Sequence, residues 1–93
     1  MKAIQLTRRD LERYFMRDFF DTMVLGFFVR VGVMREQQQV FRASMIVGVD
    51  KGMRSYKFGT KQTRKRLVLQ YGTVKRDYAM EYVSNSRISE VSG

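Results

Sequence analysis

The stretch Gly26-Phe27-Phe28-Val29-Arg30-Val31-Gly32-Val33 constrains the fold of this chain more than any other segment. Aromatic and β-branched side chains suit a pleated, half-buried surface, so the run predicts a strand. Alternation puts Phe27, Val29, Val31 and Val33 on one face and Phe28, Arg30 and Gly32 on the other. Comparable runs follow. Residues 40–49 predict a second strand, ended by the turn signal Asp50-Lys51-Gly52, and residues 55–58 a short third one closed by Gly59. Thr60 to Arg66 is expected as a basic loop, Leu67 to Tyr71 as a fourth strand and Gly72-Thr73 as a turn. Residues 76–83 predict a fifth strand, with Arg76, Tyr78, Met80 and Tyr82 on one face. The polar segment from Met34 to Gln39 is expected as a hairpin connection, although it lacks the Gly and Asn that tight hairpins favour. Strands at a spacing of about ten residues predict a small antiparallel barrel or a strongly bent sheet.

Before these strands, the periodicity changes. Thr7-Arg8-Arg9-Asp10 has the layout of a capping box, with Thr7 as N-cap and Asp10 three residues on. Leu6 and Leu11 stand at the two positions of a hydrophobic staple, and Leu11, Tyr14 and Phe15 form a stripe at helical spacing. This predicts a helix over about 7–16, followed by a short turn at residues 18–21 with Phe19 and Phe20 both anchored on the core. The expected fold class is therefore α+β: short N-terminal helices packed on a small antiparallel β-barrel of five to six strands. A chain of 93 residues makes one domain, and the pattern is lost at residues 84–93, which are expected to fray.

Composition narrows the function. The chain has no Cys and no His, which removes disulfides, thiol nucleophiles and the usual zinc ligands. Acid–base chemistry at neutral pH would need a strongly shifted Asp, Glu, Lys or Tyr. An enzyme is not expected, nor a cofactor or a metal. No apolar run is long enough to span a bilayer, and the N-terminus lacks the apolar core of a secretory signal, so no membrane association is expected. Eighteen Lys and Arg against nine Asp and Glu leave a net charge of +9. From Lys51 to Arg76 every charged residue is basic, which points to an anionic partner: nucleic acid, a phosphorylated peptide or an acidic protein.

Several segments then combine into a resemblance. Residues 8–20 with the pair Phe19-Phe20, the strand from Gly26 to Val33, and Glu81-Tyr82-Val83-Ser84-Asn85 stand in the order and spacing of the Plus-3 domain. Val40-Phe41-Arg42, Ile46-Val47-Gly48-Val49, Tyr56-Lys57-Phe58-Gly59 and Thr63-Arg64-Lys65-Arg66-Leu67 fit the same pattern between them. The resemblance implies helices flanking a Tudor-like β subdomain. It also implies docking of the phosphorylated C-terminal repeats of the large subunit of the DSIF elongation factor. That contact links the polymerase-associated factor complex to RNA polymerase II, in the nucleus. The family continues past the Ser84-Asn85 region into further helices, so here that helical cap is expected to be absent or truncated. A monomer is expected.

By the same resemblance, the phosphate falls to Arg8 and Arg30, with Arg9 as a neighbouring competitor for Arg8, and the peptide's flank to Tyr82. Arg76, on the predicted face of Tyr82, is a further positive contact. The residue chemistry agrees, because two guanidinium groups present planar donors to phosphate oxygens. Arg30 stands mid-strand among apolar neighbours, where a charge needs a partner. Either a bound phosphate or an internal carboxylate such as Asp10 or Glu81 would serve. The alternative function is single-stranded DNA or RNA binding along residues 51–76. There Lys57, Lys61, Arg64, Lys65 and Arg66 would follow a phosphate backbone, with Tyr56, Phe58 and Tyr71 either stacking on bases or lying in the core. A Tudor-like reader of methylated lysine or arginine would need converging aromatics, and the positive charge opposes a basic target.

Overall fold

The computed structural model describes residues 4–86. The chain opens with helix α1 (Arg8–Tyr14) and the single-turn helix α2 (Phe20–Met23). Four strands follow: β1 (Phe28–Arg35), β2 (Gln38–Phe58), β3 (Lys61–Tyr71) and β4 (Val74–Ala79). A 3-10 turn over Met80–Tyr82 completes the described elements. The strands form one antiparallel meander in the order β1-β2-β3-β4.

Helix α1 starts as the sequence predicts. The Thr7 hydroxyl accepts from the backbone N–H of Asp10, and the Asp10 carboxylate accepts from the backbone N–H of Thr7. Leu6 and Leu11 are both buried in the core, as the staple requires. Gly26, at φ +89°, turns the chain from α2 into β1, a conformation that L side chains rarely adopt.

The sheet departs from expectation in four ways. Among the described residues it is not closed into a barrel, and it has four strands rather than five or six. The expected second and third strands are one continuous strand, β2, because Asp50-Lys51-Gly52 does not reverse the chain. Irregularities between Ile46 and Gly48 and between Lys51 and Tyr56 bend β2 instead. The expected basic loop from Thr60 to Arg66 belongs to β3 except for its first residue, paired to β2 as far as Phe58↔Lys61. Finally, the predicted fifth strand stops at Ala79, and the 3-10 turn breaks its alternation before Tyr82. The β1–β2 hairpin turns at Glu36 and Gln37, both at positive φ (51° and 68°), so the tight turn forms without Gly or Asn.

One face of this sheet carries Val29, Val31, Ile46, Leu67 and Leu69, all buried. Leu11, Phe15, Phe20 and Val24 cover it from the helical side, and Met80 and Val83 from the end of the described chain. Phe15 meets Phe58 edge-on with ring centroids 5.2 Å apart. Burying a side chain as large as Phe20 or Phe58 contributes roughly 2–3 kcal/mol. Phe19 breaks the expected pairing with Phe20: it is half exposed and leans on Tyr14 instead. After Met80 the chain returns to β1 through the bridge Val31↔Val83, and residues 4–6 lie beside the start of β1 through Gln5↔Phe28. Both chain segments therefore converge on the same edge.

Candidate functional site

That convergence builds a groove. The backbone N–H of Ser84 donates to the carbonyl of Arg30 (2.7 Å), and the Ser84 carbonyl accepts from the N–H of Arg8 (3.2 Å). The Asn85 side-chain oxygen accepts from the N–H of Arg9 at 2.7 Å. With Thr7 holding the N–H of Asp10, the first three donors of α1 are all satisfied within the chain. A helix start normally leaves these groups open to an anion. Here they are closed, so positive potential must come from side chains. Ser84 and Asn85 are thus anchored rather than frayed; residues 87–93 lie outside the described residues.

The groove is lined by Arg8, Gly32, Phe41, Glu81, Tyr82, Val83, Ser84 and Asn85. Its volume of about 280 Å³ is small for a ligand cleft and suits one extended side chain rather than a bulky cofactor. Arg8 reaches into it from α1 with only long contacts, 3.9 Å to the Glu12 carboxylate and 3.5 Å to the Glu81 carbonyl. Contacts of that length on an exposed side chain hold it weakly. Tyr82 is 54% exposed, so its ring belongs to the groove and not to the core. Arg30 has neither of the carboxylate partners considered from the sequence. Its guanidinium lies 4.5 Å from the centroid of the Phe41 ring, and Asp10 is occupied by Thr7. Among the described residues no ion pair neutralises Arg30.

Arg8 and Tyr82 therefore share one groove, and Arg30 stands beside it against the Phe41 wall. Arg9 does not line it. Arg76 is separated from this group: it lies exposed on β4, opposite Leu69 in β3. Sequence reading missed Phe41 as a wall and the anchoring role of Ser84 and Asn85. The preference of Asn side chains for helix starts is the available signal for Asn85; Ser84 acts through its backbone, which no sequence signal marks.

The alternative basic residues divide. Lys65 faces inward: its ammonium sits 2.9 Å from Asp21, donates to the Phe15 carbonyl at 3.0 Å and lies 4.9 Å from the Phe20 ring centroid. Arg66 pairs with Asp77 at 3.2 Å, and Arg64 donates to the Gly52 carbonyl at 2.9 Å. Lys57 and Lys61 are exposed beside the β2–β3 turn. Phe58 is buried, and Tyr56 is half-buried, its hydroxyl donating to the Lys65 carbonyl and accepting from the N–H of Met80. Burial pushes the Tyr56 phenol above its ordinary value of 10.0, against the opposing pull of the Met80 hydrogen bond. Of the three aromatics in this stretch, Tyr71 alone is exposed to half or more. Among the described residues, no cluster of His, Cys, Asp and Glu is arranged to hold a metal ion.

The fold and groove define a small α+β domain whose candidate binding groove is assembled where its first helix and its last described segment meet. A family model described as the Plus-3 domain matches residues 1–91, and the chain belongs to that family. It is similar to an RNA polymerase-associated protein RTF1 homolog of Caenorhabditis elegans, 30% identical over 98% of this chain. A Schizosaccharomyces pombe RNA polymerase-associated protein is 29% identical over 97% of it, and an Arabidopsis thaliana protein RTF1 homolog 31% identical over 77%. The chain spans only 15%, 16% and 12% of the lengths of these relatives.

Proposed function

We propose that this domain docks a phosphothreonine-containing segment, the phosphorylated C-terminal repeat of a DSIF-type elongation factor. It would thereby couple a polymerase-associated factor complex to RNA polymerase II in the nucleus. The relatives' names, which speak of RNA polymerase association, support this setting. One observation carries the reading: Arg8 and Tyr82 line a single groove, and the unneutralised Arg30 stands at its Phe41 wall. A phosphothreonine brings about −1.5 to −2 charge and three acceptor oxygens. Arg8 is free to swing from its long contacts onto those oxygens, and Arg30 supplies a second fork across the wall. Tyr82 and Phe41 offer apolar surface to the flanking residues. Glu81, also in the lining, favours a basic or neutral residue beside the phosphate. The domain binds and does not catalyse in this reading.

Fluorescence anisotropy at about 150 mM salt tests it, with phosphorylated and unphosphorylated repeat peptides and a single-stranded oligonucleotide in parallel. The expected result is binding of the phosphopeptide at least about tenfold tighter than its unphosphorylated form, as charge-assisted hydrogen bonds allow. Equal binding of both peptides, with tight and steeply salt-dependent oligonucleotide binding, would move the function to Lys57, Lys61 and Arg64 on the β2–β3 hairpin.

A further inference from the structure

A second surface lies on the β3 side of β2. Pairing between these strands begins at Met45↔Gln70, and β3 ends at Tyr71. Residues 38–43 of β2 pair with β1 on one side only. No strand or isolated bridge among the described residues occupies their other side. The hairpin of β1 and β2 thus projects past the β3–β4 turn with an open backbone edge. Such edges are normally blunted by proline, clustered charge or covering chain, because unpaired N–H and C=O groups template another strand. This one has no proline, and Arg42 is its only charged residue.

The side chains beside the edge indicate what it takes. On one sheet face, Phe41 is 42% exposed, with Ala43 exposed next to it. On the opposite face, Arg42 lies over the Tyr71 ring, 4.6 Å from its centroid, and the half-exposed Val74 pairs with Tyr71 in register. Lys75 and Arg76 follow on β4, both exposed. Arg42 carries no ion pair among the described residues. Of the acidic groups in the flanking elements, Asp77 is paired with Arg66 and Glu36 sits out at the hairpin turn. The mouth of the edge is therefore apolar and net positive.

We propose that this edge is a β-augmentation site for an extended acidic segment of a partner protein. The segment adds as a strand along residues 38–43, with acidic side chains toward Arg42 and apolar ones toward Phe41 and Ala43. The site borders the phosphopeptide groove at the Phe41 ring but uses a different backbone edge and needs no phosphate.

The probe is a peptide of about eight residues, a usual strand length, alternating glutamate and valine, with a lysine–valine peptide as control. Amide hydrogen exchange and NMR shifts are read on the parent domain. Protection confined to the amides of residues 38–43, by the glutamate peptide and not by the lysine one, is expected. Arg42→Glu should weaken binding about fivefold, the effect of turning a cross-strand attraction into repulsion. Arg8→Ala should leave it unchanged. The proposal is overturned if those amides gain no protection at millimolar glutamate peptide, or if both peptides protect them equally. Sedimentation showing dimers with the edge already protected would also overturn it, by giving the edge to a second copy of this chain.

Discussion

Two basic regions of this domain meet opposite fates. At the β2–β3 hairpin the cations are numerous, yet Lys65 is folded inward onto Asp21 and Phe15, Arg66 is paired with Asp77, and Arg64 is tied to the Gly52 carbonyl, which leaves Lys57 and Lys61 on open surface. At the groove there are two arginines, and neither is neutralised at close range: Arg8 holds a carboxylate only at 3.9 Å, and Arg30 rests on an aromatic face. Density of charge along the sequence therefore does not coincide with the groove. The groove differs in being concave, with Arg8 in its lining and Arg30 on its Phe41 wall, on a surface whose backbone donors are already used by Ser84, Asn85 and Thr7.

The largest way to break this comparison is to cut the link between the two regions. Tyr56 ties the Lys65 carbonyl of the hairpin to the Met80 N–H that leads into the groove. Tyr56→Phe leaves both groups without their partner, and urea unfolding should report a loss of about 1–3 kcal/mol. The same residue gives a pH signature. Its phenol is raised in the folded state, so its contribution is complete below the ordinary value of 10.0. That contribution is lost as pH rises from there through the folded value. Parent stability should fall in that alkaline window, and the fall should be shallower in Tyr56→Phe.

Next comes the groove itself. Asn85→Ala removes the acceptor for the Arg9 N–H and should cost about 1 kcal/mol, the usual worth of a helix cap. It should also weaken phosphopeptide binding, because the segment carrying Tyr82 loses an anchor. On the hairpin side, Lys65→Met keeps the aliphatic stem and removes the ammonium. Thermal melts should show a loss of about 0.5–1 kcal/mol that shrinks in high salt. Smallest of all, Lys57→Ala with Lys61→Ala should stay within about 0.5 kcal/mol of the parent and leave phosphopeptide affinity unchanged.

Local chemistry was legible in the sequence and long-range geometry was not. The Thr7–Asp10 box, the Leu6–Leu11 staple and the inward side of Val29 and Val31 all follow from spacings of a few residues. Asp50-Lys51-Gly52 misleads because a bulged strand and a turn draw on the same residues, and only pairing with β3 distinguishes them. The run from Thr60 to Arg66 reads as a loop because its charge hides that Lys65 points toward the end of a helix far away in sequence. The barrel failed for a similar reason: alternation implies strands, but says nothing of whether their last edge returns to the first. For the site, the fold brings Arg8 and Tyr82 into one groove. Arg76 lies apart from them, because its relation to Tyr82 rests on an alternation that the 3-10 turn ends at Met80.

The central claim is that Arg30 is held unneutralised for a phosphate. Isothermal calorimetry of Arg30→Ala with the phosphorylated repeat peptide tests it most directly, alongside circular dichroism to establish that the variant stays folded. The account predicts affinity lower by about ten- to a hundredfold, as for the loss of a charge-assisted pair, with the unphosphorylated peptide unaffected. A folded Arg30→Ala domain that binds the phosphopeptide as tightly as the parent would contradict it.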